Sequence, residues 1–126
     1  MARATSTYTV QFRTPATVRP EPQGRVPRVA RLLALAHKID RMIQAGKLRD
    51  LAHAAQHLGL TRARVTQVTS LLLLAPTIQA EILDLPLVTS GRDPISERQL
   101  RPIAAEPDWN RQLITWRTIH GLRPAS

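Results

Sequence analysis

Between Arg62 and Ser70 the chain sets an amide, three hydroxyls and two guanidinium groups in nine residues, RARVTQVTS, with no acid among them. None stands beside a base that would turn it into a nucleophile, so the chemistry on offer is hydrogen bonding. In a helix at 100° per residue, Val65, Val68 and Leu72 share one face. Ala63, Thr66, Gln67 and Ser70 share the opposite face, with Arg62 and Arg64 on the flanks. A glutamine presented in this way matches the edge of adenine, and an arginine matches O6 and N7 of guanine; one such pair discriminates bases by about 1–3 kcal/mol. Ala63 and Ser70 are small enough to let such a helix sit deep in a groove while Thr66 and Gln67 reach forward.

The other reactive groups offer less. His53 and His57 stand four apart on one helical face, but Ala54 occupies the place of the glutamate in a His-Glu-x-x-His zinc site. The chain has no cysteine, and a third ligand would have to come from elsewhere. Solvated or phosphate-contacting histidines are the simpler reading, so no metal is expected. Glu97, Glu106 and Asp108 fit helix caps and first turns, where the helix dipole favours negative charge. There is no phosphate-binding glycine loop, no dinucleotide fingerprint and no serine in a nucleophile elbow. Neither an enzyme nor a cofactor is expected.

The elements that would hold Gln67 forward surround it. LAHAAQHLGLTRARVTQV, from Leu51 to Val68, has the pattern of a helix-turn-helix. Ala55 is small where two helices cross, Gly59 follows where the turn favours positive φ, and Leu58, Leu60, Val65 and Val68 lock the second helix on the first. A helix from Pro27 to the terminating Gly46 precedes the motif, with Val29, Leu32, Leu33, Ala36, Ile39 and Ile43 as its buried stripe. The second helix covers Asp50 to Leu58 with Asp50 as N-cap; the third starts at the N-cap Thr61 and runs to Leu74, before Pro76.

A fourth helix covers Thr77 to Leu85 and leads into the loop LPLVTSGRDP. A fifth opens on the capping box of Ser96 and Gln99 and meets Pro102, which should distort or shorten it. Asp108 caps a sixth, whose Trp109, Leu113, Trp116 and His120 share a face. Leu71, Leu73 and Leu74 make the end of the third helix apolar all round, which requires cover all round. The later helices are the expected cover, a buttress without a DNA surface of its own. The expected fold is all-α: a helix-turn-helix three-helix core with a C-terminal helical buttress over residues 27–120, an extended arm over 1–26 and a tail over 121–126. In the arm, Tyr8, Val10 and Phe12 alternate with polar residues as a short strand with one apolar face. Pro15, Pro20, Pro22 and Gly24 then exclude regular structure.

The net charge of +9 is unevenly spread. Residues 1–75 hold 12 Lys or Arg against 3 acids, whereas residues 76–126 hold 6 Arg against 6 acids. Positive charge thus coincides with the motif and the arm, which points to a polyanionic partner. Arg25, Arg28, Arg31, Lys47, Arg49 and Arg64 are candidates for phosphate contacts, which position a protein on a duplex without carrying sequence information. The apolar runs fall far short of the about 20 residues of a membrane span. The N-terminus lacks the apolar core of a secretory signal, and the absence of cysteine fits a reducing compartment. A cytoplasmic, nucleoid-associated protein that binds no membrane is expected.

From about Arg28 to Arg117 the chain resembles the central DNA-binding domain of ParB-type partition proteins and KorB-type plasmid repressors. The resemblance lies in GLTRARVTQVTSLLLLAPTIQAEIL and in PISERQLRPIAAEPDWNRQLITW, which is similar to the family segment L-S-x-x-H-A-R-A-L. Ile95 and Ser96 match its start and Arg101 and Ile103 its end, while Gln99, Leu100 and Pro102 replace the usual His, Ala and Ala. The resemblance implies a DNA-binding module with Thr61, Arg62, Ala63, Thr66, Gln67 and Ser70 in recognition-helix positions. No G-E-R-R-x-R-like segment is present, so CTP binding and clamp sliding are not implied.

The expected partner is double-stranded DNA, bound sequence-specifically in transcriptional regulation, or in partition or recombination on a mobile element. The expected binder is a homodimer joined through the arm of Tyr8, Val10 and Phe12. The rival is an adaptor that docks a recombinase or polymerase subunit and touches DNA only non-specifically. Single-stranded RNA is disfavoured, because its readers use exposed stacking platforms. The aromatic residues are Tyr8, Phe12, Trp109 and Trp116, with both tryptophans in the neutral half.

Overall fold

The computed structural model describes residues 24–121; the strand expected at Tyr8, Val10 and Phe12 and the tail beyond Gly121 lie outside them. The described residues form an all-α fold of six helices. These are α1 (Arg28–Gln44), α2 (Leu51–Leu58), α3 (Arg62–Thr69), α4 (Pro76–Leu83), α5 (Glu97–Ala105) and α6 (Trp109–His120), with a short 3-10 segment, Ser70–Leu73, between α3 and α4. Among the described residues no helix is long and apolar enough to cross a membrane.

Local chemistry starts most of these helices where the sequence places them. Asp50 accepts from the N–H of His53, Thr61 from that of Arg64, and Asp108 from that of Asn110, while Ser96 and Gln99 close a reciprocal box. Each cap satisfies amides that the first turn leaves without a partner. Gly59 turns the chain from α2 into α3 at φ 69, a left-handed conformation that costs glycine little.

The start of α1 is different. Pro27 takes the N-cap position, not the first helical one, and has no side chain to cap with. Asp93 does so from 65 residues away: the Arg28 N–H donates to its Oδ2 at 2.7 Å, and Arg25 pairs with its other oxygen. Beside them Arg25 and Val88 exchange backbone hydrogen bonds of 3.0 and 2.8 Å. Gly24, at φ 150, fits there because a Cβ would collide with the Val88 carbonyl. The last residues of the expected arm are therefore part of the folded body.

Apolar burial is divided between two clusters. The larger joins Val29, Ala30 and Leu33 of α1 to Leu71, Leu74 and Ala75 and to residues of α4, α5 and α6, among them the fully buried Ile78, Leu100 and Trp116. The smaller comprises Ile39, Leu48, Ala54, Ala55 and Val65. α1 runs through both, its N-terminal half in one and its C-terminal half in the other.

The third helix ends earlier than the apolar pattern suggests. Thr69 donates its hydroxyl to the Val65 carbonyl at 2.9 Å and Ser70 to that of Gln67 at 2.7 Å, competing with backbone amides for the same acceptors. The chain then tightens to three residues per turn, so side chains three apart eclipse. Val68, Leu71 and Leu74 all turn inward, and Leu73, expected inside, swings out to 61% exposure. Leu58 and Leu60, expected to lock the two helices together, are each more than a third exposed; the joint closes on Ala54, Ala55 and Val65 instead. Pro102 neither breaks nor shortens α5, which runs on to Ala105. It stands on an exposed position, where water can serve the carbonyl left without an amide.

In α6, Trp116 is fully buried and donates its indole N–H to Glu81 at 2.7 Å. Trp109, expected on the same face, sits in the first turn and is mostly outside. The one buried polar side chain among the described residues is Gln112. Its Oε1 accepts from the Ala75 N–H at 2.7 Å, and its Nε2 donates to the carbonyls of Leu73 at 3.1 Å and Glu106 at 2.8 Å. It thereby fixes the irregular link after α3 to the joint between α5 and α6.

Candidate nucleic-acid interface

α3 packs inward through Val65 and Val68, both buried, against α1 and α2. Arg62, Ala63, Thr66 and Gln67 lie on its exposed side, where helical periodicity puts them. Ser70 does not join them in the open. It is half-buried in the 3-10 turn, and its hydroxyl is engaged with the Gln67 carbonyl. Thr61 uses its hydroxyl oxygen as the helix cap, accepting from the Arg64 N–H at 3.0 Å.

Arg64 departs furthest from its expected role on phosphate. Its guanidinium grips Glu97, the first residue of α5, through two hydrogen bonds of 2.6 and 3.1 Å, and Arg101 approaches the same carboxylate at 3.5 Å. A two-pronged charge-assisted pair of this kind is strong and geometrically fixed, so Arg64 is a brace between α3 and α5. Arg64 holds the Glu97 carboxyl below the usual carboxylate range, against the burial that raises it. Arg64 Nη1 also donates to Gln67 Oε1 at 3.3 Å, which leaves the Gln67 Nε2 donors without a partner among the described residues.

Of the other phosphate candidates, Arg28, Arg31, Lys47 and Arg49 are exposed and make no ion pair among the described residues. Arg25 is held by Asp93 and donates to the Gly91 carbonyl at 3.2 Å. The Arg28 amide and then Arg25 keep the Asp93 carboxyl below its ordinary range. His53 accepts the Arg49 N–H at 3.1 Å, and the described residues contain no group of three or more side chains able to hold a metal.

No family model, no curated protein and no solved structure matches the chain.

Three arginines that the even charge count of the second half conceals lie close to this face. Arg92, Arg98 and Arg101 meet Arg25, Arg28 and Arg31 around a cleft of about 560 Å³ at the starts of α1 and α5. The signal that would have found them is not their number but the engagement, outside the cleft, of three of the six acids that balance them. Glu81 accepts from Trp116, and Glu106 and Asp108 take up backbone amides at the start of α6.

Proposed function

We propose that this chain binds double-stranded DNA sequence-specifically, laying α3 in the major groove. Ala63, Thr66 and Gln67, with Arg62 beside them, then face the base edges. The carrying observation is the exposed side of α3. It joins small side chains to hydrogen-bonding ones, on a short helix held by caps and a left-handed glycine turn against α1 and α2. That is the arrangement by which a recognition helix enters a groove. Arg28, Arg31, Lys47 and Arg49 supply phosphate contacts. The resemblance to the ParB and KorB DNA-binding domain extends the proposal to a role in transcriptional regulation, or in partition or recombination on a mobile element. One such helix reads only a few base pairs, so the bound form is a dimer on a palindrome with half-sites about 34–36 Å apart or a multiple of that.

Selection of binding sites from a pool of random duplex DNA tests this reading, followed by Gln67→Ala on the enriched site. The expected result is a palindromic consensus and a variant that loses preference at one base pair per half-site, by about 1–3 kcal/mol. A pool that yields no consensus, or a variant with unchanged selectivity, overturns the reading and favours the adaptor.

A further inference from the structure

We propose that the arginine cleft between the starts of α1 and α5 is a second grip on the backbone of the same duplex. It takes phosphates that flank the base pairs faced by α3, and the inference rests on the DNA reading above. Six arginines line the cleft: Arg25, Arg28, Arg31, Arg92, Arg98 and Arg101. Its two acids are already engaged, Asp93 with the Arg28 amide and Arg25, and Glu97 with Arg64 and Arg101. Arg28, Arg31, Arg92 and Arg98 therefore converge without an ion pair among the described residues. Four like charges facing one concavity repel each other, and an anion with several charges relieves that repulsion. The guanidinium fork suits phosphate in particular.

Two observations select the occupant. Apart from its arginines and two acids, the cleft is lined by Val29, Ile95 and Ser96, with no aromatic ring. It offers phosphates a site and a nucleobase no stacking platform. It also adjoins the base-facing side of α3: Gln67 touches Arg64, Arg64 binds Glu97, and Glu97 is a wall of the cleft. A duplex seated on α3 carries a negative charge for about every 1.7 Å of its axis, and in the proposed seating its backbone runs along this wall. The second half of the chain is thus a DNA surface as well as a buttress.

The test uses the full-length chain and the duplex that the wild-type protein selects, with affinity measured across a salt series. In Arg92→Ala/Arg98→Ala the slope of log K against log salt becomes less steep by about 2 for each bound protomer, about 4 for the dimer, at roughly 0.9 for each phosphate no longer neutralised. Base preferences stay as they were, and Arg92→Lys/Arg98→Lys restores most of the slope. Both side chains are exposed and belong to neither core, so the thermal melt serves as the folding control. The loop substitution Arg92→Gln alone, with about half the effect, is the companion if the double variant fails that control. An unchanged slope in a folded variant, or a change of base preference at constant slope, overturns the grip and leaves the α3 reading standing. A wild-type chain without affinity for any duplex removes both.

Discussion

The larger core is filled by leucine, isoleucine and a tryptophan from α1, the 3-10 turn and α4 to α6, whereas the smaller one, under the face of α3, rests on two alanines, Val65, Leu48 and Ile39. Burial contributes roughly 25 cal/mol per Å² of apolar surface, so the two differ in strength as well as size. The half that presents Gln67 is the lighter one, held by caps, a glycine turn and the Arg64–Glu97 brace. It owes its position to α1, whose other end is anchored in the heavy half. The expected outcome of such an arrangement is that α2 and α3 open locally at a lower free energy than the whole protein.

The widest gap between the halves comes from paired truncations. Trp116→Ala in the large core should cost about 3–5 kcal/mol in urea unfolding. Val65→Ala in the small one should cost about 2 kcal/mol, two methyl groups at about 0.8 each plus a partial cavity. Equal losses would erase the contrast. Next is Gln112→Leu, which keeps the bulk but strands the Ala75 amide and two carbonyls, at about 1–3 kcal/mol. Gly59→Ala tests the light half directly. A Cβ there meets nothing within 4 Å, so the cost is conformational alone, about 1–2 kcal/mol. Amide hydrogen exchange should accelerate in α2 and leave α6 unchanged; acceleration in both would mean the halves open together.

The smallest effect is electrostatic. Asp93 and Glu97 both have lowered pKa values in the folded protein. Their stabilisation is therefore complete above the unfolded carboxyl values near about 4 and disappears as pH falls through the lower folded values. Urea midpoints followed from pH 6 to pH 2 should fall less steeply in Asp93→Asn/Glu97→Gln than in the wild type. Parallel curves would mean that neither carboxylate holds its partners. The cap supplied by Asp93 alone is worth about 1 kcal/mol.

What the sequence made legible was local. Asp50, Thr61, Ser96 with Gln99, and Asp108 bond to amides two or three residues away, so the starts of four helices could be placed from neighbours alone. The inward face of α3 followed from periodicity in the same way. The features that escaped are those whose partners are remote: Asp93 on Arg28, Arg64 on Glu97, and Gln112 on Ala75. Each pairing depends on how helices meet, and no spacing rule reaches that far. Leu73 escaped for another reason: hydroxyls of Thr69 and Ser70 changed the helical period beneath it. The arginine cleft was hidden because a net charge of zero also counts Glu106 and Asp108, which bond to amides at the start of α6 and lie outside the cleft.

The carboxylate that finishes the first helix is 65 residues further along the chain. At about 5–20 residues per second, a ribosome adds the opening turn of α1 some 3–13 s before it adds the Asp93 that caps it. During synthesis the local caps and glycine turn of the light half can therefore form first, with its brace to Glu97 following. The long helix that carries it acquires its final anchor only once the loop before α5 has emerged.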